Sequence, residues 1–100
     1  GQGGNQFWML SKNGEIRRDD ACLDYPSNKQ HVIITYTCHS GKGNQYWEYR
    51  NDGSVYHKTH NLCMEMSMDG RKLYMAVCTG IKRQRWLWNR EKYNFPTSRF

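Results

Sequence analysis

The residues with the most chemistry to offer are five carboxylates, Asp19, Asp20, Asp24, Glu48 and Glu65. Two of them at the right separation would suit a glycosidase, one protonating the leaving oxygen while the other attacks or activates water. No segment of the chain is long enough to build a substrate cleft around such a pair, which argues against catalysis by these residues. His57, His60 and Cys63 are spaced by three, as zinc ligands often are. No second close Cys or His pair completes a four-ligand site, so no metal is expected. The densest basic cluster is Lys82-Arg83-Gln84-Arg85, with Arg90 nearby. It raises a heparin-like polyanion as a ligand. The remaining cations are scattered, and Arg17-Arg18 is followed at once by Asp19-Asp20, so a solvated basic face is the better account and no nucleic-acid partner is expected.

Cysteine offers another kind of chemistry. Cys22, Cys38, Cys63 and Cys78 are an even number in a small chain with a thin aliphatic core, the profile of a disulfide-stapled domain from an oxidising compartment. Three pairings are formally open. The nearly equal gaps make two local bridges, Cys22–Cys38 and Cys63–Cys78, the natural expectation, each closing a loop of about 15 residues worth roughly 3 kcal/mol in the chain-entropy picture.

The elements that must position these residues come from an internal repeat. Gln6-Phe7-Trp8, Gln45-Tyr46-Trp47 and Gln84-Arg85-Trp86 place three tryptophans 39 residues apart. Asn13-Gly14-Glu15-Ile16 returns as Asp52-Gly53-Ser54-Val55, and Cys22-Leu23-Asp24 as Cys63-Met64-Glu65. Such a fixed period identifies a repeat architecture. Within a unit the pattern is β: the run Val32–Thr37 and its counterpart Leu73–Val77 are rich in β-branched and aromatic residues, while Asn-Gly and Asp-Gly pairs supply hairpin turns. A unit of this kind cannot bury its apolar face alone, so three units closing into a barrel capped by hairpins is the expected solution. The partition is residues 1–8 as the end of repeat one, 9–47 as repeat two, 48–86 as repeat three and 87–100 as a tail. Most of repeat one, including its cysteines, is then expected upstream of Gly1.

Length and composition agree with one small folded domain. The chain has 100 residues, 15 Lys+Arg against 9 Asp+Glu, and 14% aromatic residues including four Trp. Its mean hydropathy is −1.00, but disordered chains are poor in aromatics, so folding is expected. The longest aliphatic run is Val32-Ile33-Ile34, far short of a membrane span, and no membrane contact by this segment is expected. Gly1–Asn5 lacks the apolar stretch of a secretory signal.

Cys-Leu-Asp early in a repeat, a second Cys about 16 residues on, and Gln-x-Trp at its end resemble ricin-type β-trefoil lectin repeats. The stretch from Cys38 to Tyr49, CHSGKGNQYWEY, is similar more narrowly to the lectin domain of polypeptide N-acetylgalactosaminyltransferases. The resemblance runs from about residue 3 to residue 89. It implies an all-β, β-trefoil fold, here incomplete, and a lectin that binds GalNAc on glycopeptides or mucin-type glycoproteins in the Golgi lumen or after secretion. It implies a type II membrane parent whose manganese- and UDP-GalNAc-dependent catalytic domain precedes the lectin and could contact it. No cofactor is expected in this chain. Ricin-type modules also accompany glycosidases and toxins, and the trefoil shape alone would not fix the function.

By the same resemblance, the sugar contacts fall on Asp24, Tyr36, His39 and Asn44. The chemistry suits: Asp24 can accept hydrogen bonds from two adjacent hydroxyls, Asn44 both donates and accepts, and the rings of Tyr36 and His39 can meet a sugar's C–H face. Gln45 is expected to hold the loop from behind, and Trp47 to belong to the core. Repeat three departs from the pattern, with Glu65, Thr79 and Arg83 at the positions of Asp24, His39 and Asn44. Arg83 is expected to pair with Glu65, leaving one working site.

Overall fold

A computed structural model describes residues 8–87, together with the backbone of Thr97–Ser98. Ten short strands follow one another: β1 (Met9–Leu10), β2 (Ile16–Arg18), β3 (Ala21–Asp24), β4 (Ile34–Thr37), β5 (Trp47–Tyr49), β6 (Val55–His57), β7 (Leu62–Met66), β8 (Leu73–Ala76), β9 (Trp86–Leu87) and β10 (Thr97–Ser98). β1–β4 form one antiparallel four-stranded sheet, β5–β8 a second, and β9 pairs with β10. Two 3-10 turns, Gly43–Gln45 and Lys82–Gln84, precede β5 and β9. Among the described residues no helix is long and apolar enough to cross a membrane.

The repeat in sequence is a repeat in contacts. Trp47 donates its backbone N–H to Gly14 O, and Trp86 donates to Gly53 O, both at 2.8 Å. The indole of Trp47 donates to Leu23 O at 3.0 Å and that of Trp86 to Met64 O at 3.1 Å. Each tryptophan thereby fastens the end of one unit to the turn and third strand of that same unit. Gly14 and Gly53 adopt φ of 86° and 91°, a region that favours glycine, which is why Asn-Gly and Asp-Gly occupy these turns. Trp8, Ile16, Leu23, Trp47, Val55, Met64, Met75 and Trp86 are buried together. At roughly 1.5–3 kcal/mol per buried large side chain, this cluster is the main stabilising term.

Both expected disulfides form, Cys22–Cys38 and Cys63–Cys78. Each ties the third strand of a sheet to the chain just beyond the fourth.

One element is shorter than the β-branched run suggests. Pairing with β3 covers only Ile34–Thr37. His31–Ile33 turn instead to the neighbouring unit: Met75 donates to His31 O, Ile33 donates to Leu73 O, and Val32 bridges Tyr74. β-propensity marks residues that suit a pleated strand but does not choose between two available edges. Of the proposed partition, residues 1–7 and most of the tail lie outside the described residues.

Candidate functional site

Asp24 closes β3, and β3 pairs with β4 so that Cys22 faces Tyr36 and Asp24 faces Ile34. Side chains alternate across a strand, so Cys22, Asp24, Ile34 and Tyr36 share one face. Tyr36 is the diagonal neighbour of Asp24, a step of roughly 7–8 Å between such positions. Its ring is 60% exposed and lines a shallow cleft with Arg18, Asp20 and Thr37.

The loop from Cys38 to Trp47 supplies the remaining candidates. Gln45 is buried at its base, and its amide joins Asp24 of β3, Thr37 of β4 and His39 of the loop. Nε2 donates to Asp24 Oδ2 and to Thr37 O, each at 3.0 Å, while Oε1 accepts the His39 N–H at 3.3 Å. The His39 ring is exposed, and its Nδ1 accepts the Gly41 N–H at 2.9 Å. A Cβ on Gly41 would lie 3.0 Å from that Nδ1, so the close approach depends on glycine. Ser40 and Lys42 both take φ of 60°, a conformation non-glycine residues adopt at a cost. The Gln45 and His39 bonds span these residues. Asn44 is half-buried. Its carbonyl accepts from Tyr25 N–H and from the His57 ring, each at 2.9 Å, while its side-chain amide makes no hydrogen bond among the described residues. Hydrogen bonds thus link Asp24, His39 and Gln45, Asn44 adjoins Gln45, and Tyr36 is placed by strand register alone.

Repeat three provides an internal control. Gln84 repeats the Gln45 pattern, donating to Glu65 Oε1 and Val77 O at 2.8 Å and accepting the Thr79 N–H at 2.8 Å. The scaffold is the same, but the carboxylate is used differently. Glu65 Oε2 receives the Tyr74 hydroxyl and, at 2.8 Å, the Arg83 guanidinium. Burial alone would raise this carboxyl's pKa. The bonds from Tyr74, Gln84 and Arg83 outweigh that and hold it below the ordinary glutamate value. Both its oxygens are occupied. At Asp24, itself buried, Oδ2 takes Gln45 and Oδ1 takes no hydrogen bond among the described residues. A second difference is visible only in the register. Cys63 faces Ala76 where Cys22 faces Tyr36, and the aromatic has moved to Tyr74, opposite Glu65. The longer glutamate makes the same bond to its glutamine as the aspartate does.

Cys63 is held in a disulfide, which removes it from any set with His57 and His60. Arg83 is bound to Glu65 and Met66 O, and Arg85 to Gly80 O, so the basic cluster is partly internal; Arg90 lies outside the described residues. The one group of potential metal ligands among the described residues is Glu15 with Cys22 and Cys38. The cysteines are disulfide-bonded, and a single carboxylate does not suit a hard divalent cation such as manganese. Sequence reasoning passed over a cluster behind the loop, in which Tyr25, His31, His57, His60 and Ser27 meet. Only the tertiary fold joins these positions, and a 33-residue gap separates Ser27 from His60.

Comparison with known proteins supplies the family. Residues 1–86 match the family described as the ricin-type beta-trefoil lectin domain. Polypeptide N-acetylgalactosaminyltransferase 5 of Caenorhabditis elegans is 49% identical over 79 residues, 78% of this chain and 12% of that protein. Putative polypeptide N-acetylgalactosaminyltransferase 9 of Drosophila melanogaster is 49% identical over 86 residues, 85% of this chain and 13% of that protein. The chain therefore spans about an eighth of the length of these curated relatives. Among solved structures, GalNAc-T7 with UDP, GalNAc and Mn2+ superimposes with a TM-score of 0.73 at 17% identity, over 82% of this chain and 15% of that one. The β-trefoil lectin of the Vibrio vulnificus hemolysin with N-acetyl-D-lactosamine bound gives 0.62 at 20% identity, over 83% and 61%. At those identities the structural likeness speaks for the fold. With 86 residues matched and relatives at 49% identity, the chain belongs to the ricin-type β-trefoil lectin domain family, a family of carbohydrate-binding modules.

Proposed function

We propose that this chain is the lectin segment of a polypeptide GalNAc-transferase and binds GalNAc carried on O-glycosylated peptides through one site in repeat two. Asp24, Tyr36, His39 and Asn44 make the contacts, with Gln45 and Trp47 behind them, and residues 9–47 and 48–86 are the two full repeats. The observation that carries the reading is that Asp24 Oδ1 takes no hydrogen bond among the described residues, set against a Glu65 whose oxygens are both taken. On the same scaffold, one carboxylate keeps an acceptor for a ligand and the other has become an internal ion pair. An ionised carboxylate accepting from sugar hydroxyls makes charge-assisted bonds, the strong kind. The Asn44 amide adds a donor and an acceptor, and the exposed rings of Tyr36 and His39 add apolar faces.

On this reading the parent transfers GalNAc to Ser or Thr in the Golgi lumen, and the manganese and UDP seen with GalNAc-T7 belong to its catalytic portion. The two disulfides suit a lumenal or secreted setting.

The test is a two-dimensional amide NMR titration of the oxidised chain with GalNAc, and glucose as control. GalNAc-specific shifts confined to residues around Asp24, His39 and Asn44 are expected. A dispersed spectrum that ignores GalNAc would overturn the site.

A further inference from the structure

Behind the candidate sugar loop lies a chain of side chains that the binding chemistry leaves unused. His57, at the end of β6, is fully buried. Its ring stands edge-on to Trp47 and Tyr25, with centroids 4.6 and 5.5 Å away. Its Nε2 lies 2.9 Å from the carbonyl oxygen of Asn44. A carbonyl only accepts, so Nε2 carries the proton and Nδ1 of the neutral ring is bare. That Nδ1 faces His60 Nδ1 at 3.1 Å, so His60 must donate there. The bare His60 Nε2 then accepts from the Ser27 hydroxyl at 2.7 Å. With both rings neutral, a single assignment of protons satisfies every bond.

We propose that His57, backed by His60, is a positioning residue for the sugar site, fixing the Asn44 main chain from behind through its Nε2–H. The inference rests on the sugar-site reading above. Asn44 O also accepts the Tyr25 N–H, so two donors converge on the main chain of a residue whose side chain is offered to the ligand. The stack holds while no more than one of the two facing Nδ1 atoms carries a proton. One extra proton is tolerated on His60 Nε2, because the Ser27 hydroxyl can turn and accept. A second proton, on His57 Nδ1, sets two N–H groups against each other. The ionisable neighbours act in known directions. Burial pushes the His57 pKa down, and the charge of His60 pushes it down further; the Asn44 carbonyl and the Asp24 carboxylate oppose them. Tyr25 packs against both rings, and its hydroxyl is shared with His31 Nδ1 at 2.7 Å.

The sign follows from burial. A histidine held neutral in the fold keeps its place above the ordinary imidazole pKa; as pH falls through the lowered folded value, the second proton forces the two facing rings apart and draws the Nε2–H away from Asn44 O.

The experiment compares the native chain with His57→Gln and His57→Leu, measuring GalNAc affinity from pH 7.5 to 5.0 and the amide signals of Tyr25, Asn44 and Gln45 without sugar. Gln can still donate to the Asn44 carbonyl but does not titrate in this range. Native affinity is expected to fall between pH 7.5 and 5.0 by roughly threefold more than that of His57→Gln. The three amide signals are expected to follow the His57 titration in the native chain only. His39 is ionisable in every variant, so the difference between profiles is what reports His57. His57→Leu is expected to bind more weakly at pH 7.5; if it does not fold, His57→Gln decides. Native and His57→Gln profiles that superimpose, in affinity and in amide signals, would overturn the proposal. A native chain that ignores GalNAc at every pH would instead overturn the sugar reading and the role built on it, while amide signals that follow His57 in the native chain alone would leave only its hold on the Asn44 main chain standing.

Discussion

Asp24→Asn is the sharpest perturbation of the candidate site. The substitution keeps the shape of the side chain, and its carbonyl oxygen can still accept from Gln45 Nε2, as Asp24 Oδ2 does at 3.0 Å. Gln45 also retains Thr37 O, so the loop keeps its internal support. What changes is the atom offered to the ligand: a charged acceptor becomes an amide NH2, a neutral donor. Losing a hydrogen bond to a charged group costs about 1.5–3 kcal/mol, which is roughly 10- to 150-fold in affinity. An open monosaccharide site starts near millimolar, about −4 kcal/mol, so the variant should show no saturable GalNAc binding up to about 10 mM. The assay is the amide titration with GalNAc, in which the dispersion of the ligand-free spectrum reports that the fold is intact. A folded Asp24→Asn chain whose affinity stays within about threefold of native, under about 0.7 kcal/mol, would refute the assignment of Oδ1 to a sugar hydroxyl.

Arg83→Ala leaves the nearly buried Glu65 with only Tyr74 and Gln84; thermal unfolding should show a loss of about 1–3 kcal/mol, and GalNAc binding in repeat two should be unaffected. Because the Glu65 pKa is lowered, its stabilisation is present above the ordinary glutamate pKa and is lost as pH falls through the folded value. Thermal melts across the acid range should therefore show a shallower acid loss in Arg83→Ala than in native. Replacing Cys22 and Cys38 together by Ser opens the 16-residue link that ties β3 to the start of the loop, and chemical denaturation should report a loss of about 3 kcal/mol. Gly41→Ala sets a Cβ 3.0 Å from His39 Nδ1; GalNAc affinity should fall while the melting temperature stays near native, and unchanged affinity would remove His39 from the site.

The sequence by itself carried the repeat, the turns and the staples, because each is a matter of local chemistry or of spacing. Asn-Gly and Asp-Gly demand a left-handed turn wherever they stand, and a tryptophan recurring every 39 residues must occupy equivalent positions in equivalent units. The pairing of Arg83 with Glu65 was legible for a similar reason, since equivalent positions in a repeat are neighbours in space whatever residues fill them.

Other features were settled only by the tertiary structure. The run from Val32 to Thr37 reads as one strand, yet its first half pairs with β8 of the next unit, because backbone donors take whichever edge the packing brings within reach. That Ala76, not Tyr74, stands where Tyr36 does required the β7–β8 register. A shift of two residues keeps every side chain on its face and leaves the hydrophobic pattern unchanged. The spare oxygen of Asp24 and the filled one of Glu65 depend on which distant donors arrive, and composition does not encode that. The stack of His57 on His60 behind Asn44 brings β6, the segment beyond it and two loops of the preceding unit to one point. Spacing reported those histidines only as an unfinished metal motif, because a hydrogen bond between residues far apart in the chain is a property of the folded backbone.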